Sequence, residues 1–114
     1  MILINSSHEV QMSYNDTITI SLSLCKNNVA YTPQANEEIW FFLSQNGRLV
    51  LKEQLVYDAN SELWLINLPS MGDLLPVGLY SYDIKMINDS QTPIQQYTLI
   101  PPTLWTVLGG VPND

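Results

Sequence analysis

Strict alternation over residues 77–86 constrains this chain more than any other feature. The run Val77-Gly78-Leu79-Tyr80-Ser81-Tyr82-Asp83-Ile84-Lys85-Met86 puts Tyr80, Tyr82, Ile84 and Met86 on one side and Ser81, Asp83 and Lys85 on the other. Successive side chains of a strand point to opposite faces, whereas a helix would scatter these two sets around its circumference. The stretch therefore predicts a half-buried strand that leaves a turn at Gly78 and lays its tyrosines against a core. Residues 17–24 repeat the pattern, with Ile18, Ile20, Leu22 and Leu24 alternating against Thr17, Thr19, Ser21 and Ser23. Their β-branched content supports a strand, and the preceding Asn15-Asp16 supplies a turn.

Other strands follow from turn chemistry. Asn46-Gly47 between two apolar runs predicts a two-residue hairpin joining residues 38–43 to residues 49–57. Asp58-Ala59-Asn60-Ser61 predicts the next turn, and residues 62–68 a further strand. Residues 69–76 connect onward, with a short helical turn expected over residues 71–75. Residues 94–100 pair back onto the strand at Gly78, and Pro101-Pro102 is expected to break the ladder before a last strand over residues 104–108. About seven or eight short strands without an amphipathic helix predict an all-β, immunoglobulin-like antiparallel sandwich with Greek-key connections. A chain of 114 residues accommodates one such domain, residues 1–114, with ends at residues 1–9 and 109–114 flanking it.

Composition excludes several functional classes. Eleven acids against four bases give a net charge of −7, and Lys26, Arg48, Lys52 and Lys85 are too few and too dispersed to neutralise a phosphate track, so no nucleic-acid partner is expected. No apolar run approaches a membrane span, and the N-terminus lacks the basic and apolar regions of a signal peptide. Cys25 is the sole cysteine, so the fold rests on apolar burial without an internal disulfide.

The inventory for catalysis is thin. His8, the sole histidine, cannot form a histidine metal cluster within one chain, and Cys25 as a nucleophile would need His8 as its base. Asp58, Asn60 and Glu62 space oxygens like a calcium loop but lack its central glycine, and read better as a turn. Nothing in the spacing of Asp16, Asp73 and Asp83 brings them together as paired carboxylates. No enzyme, cofactor or metal is expected.

The aromatics carry more. Residues 38–43 are apolar on both faces, so either Trp40 and Phe42 or Ile39, Phe41 and Leu43 must turn away from the core of a two-layer domain. A terminal segment or another subunit would then cover the outward set. Trp40, Phe42, Trp64, Leu104 and Trp105 are the candidate assembly interface, with a homo-oligomer expected. The alternative is a carbohydrate-binding module that uses exposed tryptophans as a platform for a glycan.

The Gly78-Leu79-Tyr80-Ser81-Tyr82 segment resembles strand F of immunoglobulin-type sandwiches, with Tyr82 at the position of the second cysteine. Across most of the chain the order of motifs runs from Asn15-Asp16-Thr17 through Ile39-Trp40-Phe41-Phe42 and Trp64-Leu65-Ile66-Asn67-Leu68-Pro69. It continues through residues 75–84 to Ile100-Pro101-Pro102 and Trp105-Thr106-Val107. This resembles the N-terminal domain of the phage baseplate upper protein family. In that family the domain usually begins a longer chain with fibre-like or receptor-binding parts. The resemblance implies a non-catalytic virion component, assembled in the bacterial cytoplasm, that docks onto other virion proteins of a baseplate, tail or head, often in symmetric copies.

Overall fold

A computed structural model of the chain describes residues 2–4, 8–26, 29–31, 36–69, 74–88 and 94–109. The strands are β1 (Ile2–Ile4), β2 (Val10–Ser13), β3 (Ile18–Leu22), β4 (Cys25–Lys26), β5 (Val29–Ala30), β6 (Glu37–Gln45), β7 (Arg48–Gln54), β8 (Val56–Asp58), β9 (Leu63–Leu68), β10 (Gly78–Asn88) and β11 (Gln95–Leu108). The larger sheet runs β1-β2-β11-β10-β6-β7, the smaller runs β3-β9-β8, and β4 with β5 forms a two-stranded ribbon. The all-β sandwich is the predicted architecture. Strand β10 lies between β6 and β11, as strand F lies between C and G in immunoglobulin sandwiches, and β3-β9-β8 reproduces the B-E-D order.

The core lies between the sheets. Ile39, Phe41 and Leu43 of β6 meet Tyr80, Tyr82 and Ile84 of β10 and Trp105 and Val107 of β11, all buried, while Ile18, Ile20, Trp64, Ile66 and Leu68 close it from the smaller sheet. Trp105 is wholly enclosed at 0% exposure and edge-on to both Phe41 and Tyr82, each at 5.5 Å between ring centroids. Aromatic pairs at such separations prefer these tilted arrangements. The Tyr80 hydroxyl donates to the Pro76 carbonyl at 2.5 Å, four residues upstream. That is the tyrosine corner of immunoglobulin-type sandwiches, where the hydroxyl ties the strand to the loop that feeds it. The Tyr82 hydroxyl donates to the carbonyl of His8, so this residue, at the cysteine position, ties β10 to the segment before β2 by a hydrogen bond.

Gly78 opens β10 at φ 157°, and a Cβ there would stand 3.1 Å from Gln45 Nε2. Both conditions favour glycine. Asn46 and Gly47, at φ 53° and 78°, make the turn between β6 and β7 with two left-handed residues, the geometry that matches strand twist in a two-residue hairpin.

Several expectations need correction. Strand β3 stops at Leu22, short of residue 24. The strand expected over residues 49–57 is two: β7 belongs to the larger sheet and β8 to the smaller, with buried Leu55 at the crossing and its N–H bonded to the Ile39 carbonyl at 2.8 Å. One buried side chain between the sheets lets a continuous extended segment change layers. Pro101-Pro102 does not end the ladder, because β11 continues from Gln95 to Leu108 and slips register against β10 there. A bulge leaves residues unpaired, which suits an imino acid with no N–H to give. Strand β2, which the sequence reading passed over, pairs parallel with β11, so the sandwich is not wholly antiparallel. The helical turn expected over residues 71–75 and the C-terminal end past residue 109 fall largely outside the described residues.

Candidate docking face of the larger sheet

Period two decides which aromatics face out. Because Ile39, Phe41 and Leu43 are buried, the alternate residues Trp40 and Phe42 stand on the outer face of the larger sheet, half-buried. Their neighbours across the sheet are charged: Lys52 of β7 opposes Phe42, and on β10 Lys85 opposes Trp40 and Asp83 opposes Phe42. Lys52 Nζ sits 4.6 Å from the centroid of Trp40 and 5.8 Å from that of Phe42, and Lys85 Nζ lies 5.8 Å from Phe42 on the other side. The Trp40 indole N–H donates to Glu38 Oε1 at 3.0 Å, and Lys85 pairs with Asp83 at 3.7 Å. Lysine stems cover apolar surface while their ammonium groups stay wet. Among the described residues, then, it is the Lys52 and Lys85 side chains, with their ammonium groups over the rings, that lie against Trp40 and Phe42.

The same face is aliphatic at its other end. Leu79 of β10 is 64% exposed and Leu104 of β11 is 42% exposed, with Leu108 also exposed. Ser81 opposes Leu104, and Leu79 opposes Thr106, so the two leucines are diagonal neighbours. Ser44 opposes Ser81 on one side and exposed Leu49 on the other, extending the row across β6 to β7. Between the two ends lies a shallow trough of about 370 Å³, bordered by Ser44, Gln45, Leu79, Ser81, Asp83 and Pro102. Exposed aliphatics therefore gather on one face, with an aromatic pair beyond them.

Burial divides the five sequence-predicted interface residues. Trp40, Phe42 and Leu104 share the outer face. Trp64 and Trp105 do not join them: each is core, Trp64 packed at 5.2 Å on Tyr57 and Trp105 enclosed by Phe41 and Tyr82. Among the described residues, their indole N–H groups have no acceptor. A tryptophan that pairs large surface with a buried position fills a core before it serves a partner, which corrects the expectation for both residues. The tryptophan platform for a glycan is left with Trp40.

Lys52, Lys85, Leu49, Leu79 and Leu108 also belong to this face, though residue type and turn signals did not single them out. Lys52 illustrates why. A two-residue turn alone would set Phe42 opposite Leu51, but a bulge after Leu49 shifts the pairing by one, to Phe42 opposite Lys52 and Leu43 opposite Leu51. That slip turns a leucine inward and a lysine outward. The signal for Leu79 was available, since it alternates with the core tyrosines.

The remaining candidates are apart. His8 borders a cleft beside β3, while Cys25, which is exposed, borders a different one with Leu24, Tyr31, Met86 and Leu99. Asp58 accepts from the Asn60 N–H at 3.2 Å and from the Ser61 hydroxyl at 2.7 Å, so its carboxylate holds the turn. Asp83 pairs with Lys85, and Asp73 lies outside the described residues. Among the described residues, no three His, Cys, Asp or Glu side chains converge as metal ligands. No protein-family model matches the chain, and no curated protein matches it.

Proposed function

We propose that this chain is a non-catalytic assembly module that docks onto other proteins through the outer face of its larger sheet. The observation that carries the reading is the gathering of exposed Leu79, Leu104 and Leu108 on the face that also holds Trp40 and Phe42. Burying such aliphatics on association releases roughly 25 cal/mol per Å² of apolar area. The aromatic end adds rigid rings whose cationic cover favours an acidic or carbonyl-rich counterpart. The likeness of its motifs to the phage baseplate upper protein family gives the setting: a phage or prophage virion component, assembled in the bacterial cytoplasm with other virion proteins. A glycan-binding role rests on Trp40 alone and is the weaker reading.

The test is incorporation. Particles purified from a host carrying the wild-type gene should contain the chain by mass spectrometry, and the Leu79→Glu/Leu104→Glu variant, folded by circular dichroism, should be depleted from them. A chain missing from wild-type particles, or a double variant incorporated in full, would overturn the proposal.

A further inference from the structure

Strand β3 presents an unguarded sheet edge. It pairs with β9 from Ile18 opposite Leu68 to Leu22 opposite Trp64, and among the described residues no strand pairs with its other side. In the seven-strand immunoglobulin arrangement strand A fills that side, whereas here β2 pairs with β11 and β1 with β2. Natural sheets blunt exposed edges with charges, proline, bulges or brevity. The edge strand β7 carries Arg48, Lys52 and Glu53 and is bulged, and β8 is three residues ending in Asp58. By contrast, residues 17–25 hold no charged residue, proline or glycine.

The sandwich is also open along that edge. A cleft of about 270 Å³ separates Ile20 and Leu22 of β3 from Val10, Tyr82, Ile84 and Ile100 of the larger sheet. A strand added to β3 would satisfy its free backbone groups and lay apolar side chains along the mouth of this cleft.

We infer that β3 is a second association edge, occupied by β3 of a second copy in antiparallel pairing about a twofold axis. Self-complementarity carries the choice of occupant. Even-numbered positions of β3 are aliphatic and odd-numbered ones hydroxylic. An axis through Ser21 sets Ile20 against the partner's Leu22 on the inner face and Ser21 against the partner's Ser21 on the outer. Such an isologous contact needs no second sequence. Charge agrees with it: copies of a chain with net charge −7 repel except where they meet through uncharged surface, and residues 17–25 provide it. The paired β3 strands join the two smaller sheets into one continuous sheet, independently of the outer docking face.

Sedimentation equilibrium over a range of protein concentrations tests this. The wild-type chain is expected to form a dimer that strengthens with concentration. Ser21→Lys places like charges on the axis and should weaken it roughly tenfold or more, while Leu104→Lys leaves it unchanged. Facing Cα atoms in such a pair lie ~4.5–5.5 Å apart, within disulfide reach. Ser21→Cys in a Cys25→Ser background should therefore yield a covalent dimer under mild oxidation, with its melting temperature retained. A wild-type chain that stays monomeric throughout, or a dimer dissolved by Leu104→Lys and untouched by Ser21→Lys, overturns the inference. Neither result bears on whether the outer face enters a virion, which the particle experiment reads separately.

Discussion

The two faces of strand β6 use the same residue types to opposite ends. Phe41 points inward, stacked on Tyr82 at 5.8 Å and edge-on to Trp105, with no solvent contact. Phe42, its neighbour in sequence, points outward beneath the ammonium groups of Lys52 and Lys85. Hydrophobicity is equal on both sides, so it does not choose the core. What differs is the covering: rigid apolar side chains from a second sheet on one side, charged stems from flanking strands on the other. The first arrangement stabilises the fold, and the second places charge over an aromatic surface that faces water.

The largest test of that contrast compares two tryptophans. Trp105→Ala should cost about 3–5 kcal/mol, as for other large core truncations, whereas Trp40→Ala should stay within about 1 kcal/mol of wild type. Urea unfolding followed by circular dichroism reads both, and equal losses would abolish the distinction between the faces. Next in size is the exchange of Leu51 and Lys52. The double variant Leu51→Lys/Lys52→Leu would put a lysine opposite Leu43 on the inner side of β7 and a leucine opposite Phe42 on the outer, at a cost of about 1–3 kcal/mol, while a loss below that range would mean that the register is not what sorts the faces.

Alkaline stability sharpens the inner side. Burial raises the Tyr80 and Tyr82 phenols above their ordinary value of 10.0. A group whose folded pKa lies above its unfolded one contributes stability that is complete below about pH 10 and is lost as pH rises through the folded value, because the unfolded chain releases its proton first. Tyr82→Phe should flatten that fall, at a cost near neutrality of about 0.5–1.5 kcal/mol for the bond to the His8 carbonyl. An unchanged alkaline slope would place the titration elsewhere. The smallest effect belongs to the outer cover: Lys52→Ala should cost about 0.5–1 kcal/mol and make Trp40 more accessible to iodide. Quenching no greater than wild type would show that the lysine does not shield the ring.

How much of this was legible in the chain follows from the range of the forces involved. Strand β10, the β6–β7 turn and the two-layer class were readable because alternation and turn stereochemistry act locally. Which face of β6 is core was not, since Ile39, Phe41 and Leu43 are distinguished from Trp40 and Phe42 only by the strands that oppose them. The crossing at Leu55 and the short β2 were hidden for a related reason: a buried leucine looks the same in one long strand as between two, and Val10 with Met12 is too brief a pattern to stand out. Of the five predicted interface residues, Trp40, Phe42 and Leu104 lie on the outer face of the larger sheet, while Trp64 and Trp105 are buried, because residue type does not report depth.

The register slips of β11 carry a consequence for how this strand tolerates change. Two residues, Pro101 and Pro102, span the interval that Asp83 alone spans on β10, and Leu99 falls between the partners of two consecutive β10 residues. Each slip advances the strand by one, so Trp105 and Val107 reach the core on odd numbers while Ile100 reaches it on an even one. The strand thus changes reading frame twice, at the prolines and again at Leu99. Losing one residue at either slip would remove that bulge and leave the flanking residues opposite the same β10 partners, on a shorter and straighter strand, whereas losing one from the regular ladder over 103–107 would shift part of the strand by one residue against β10.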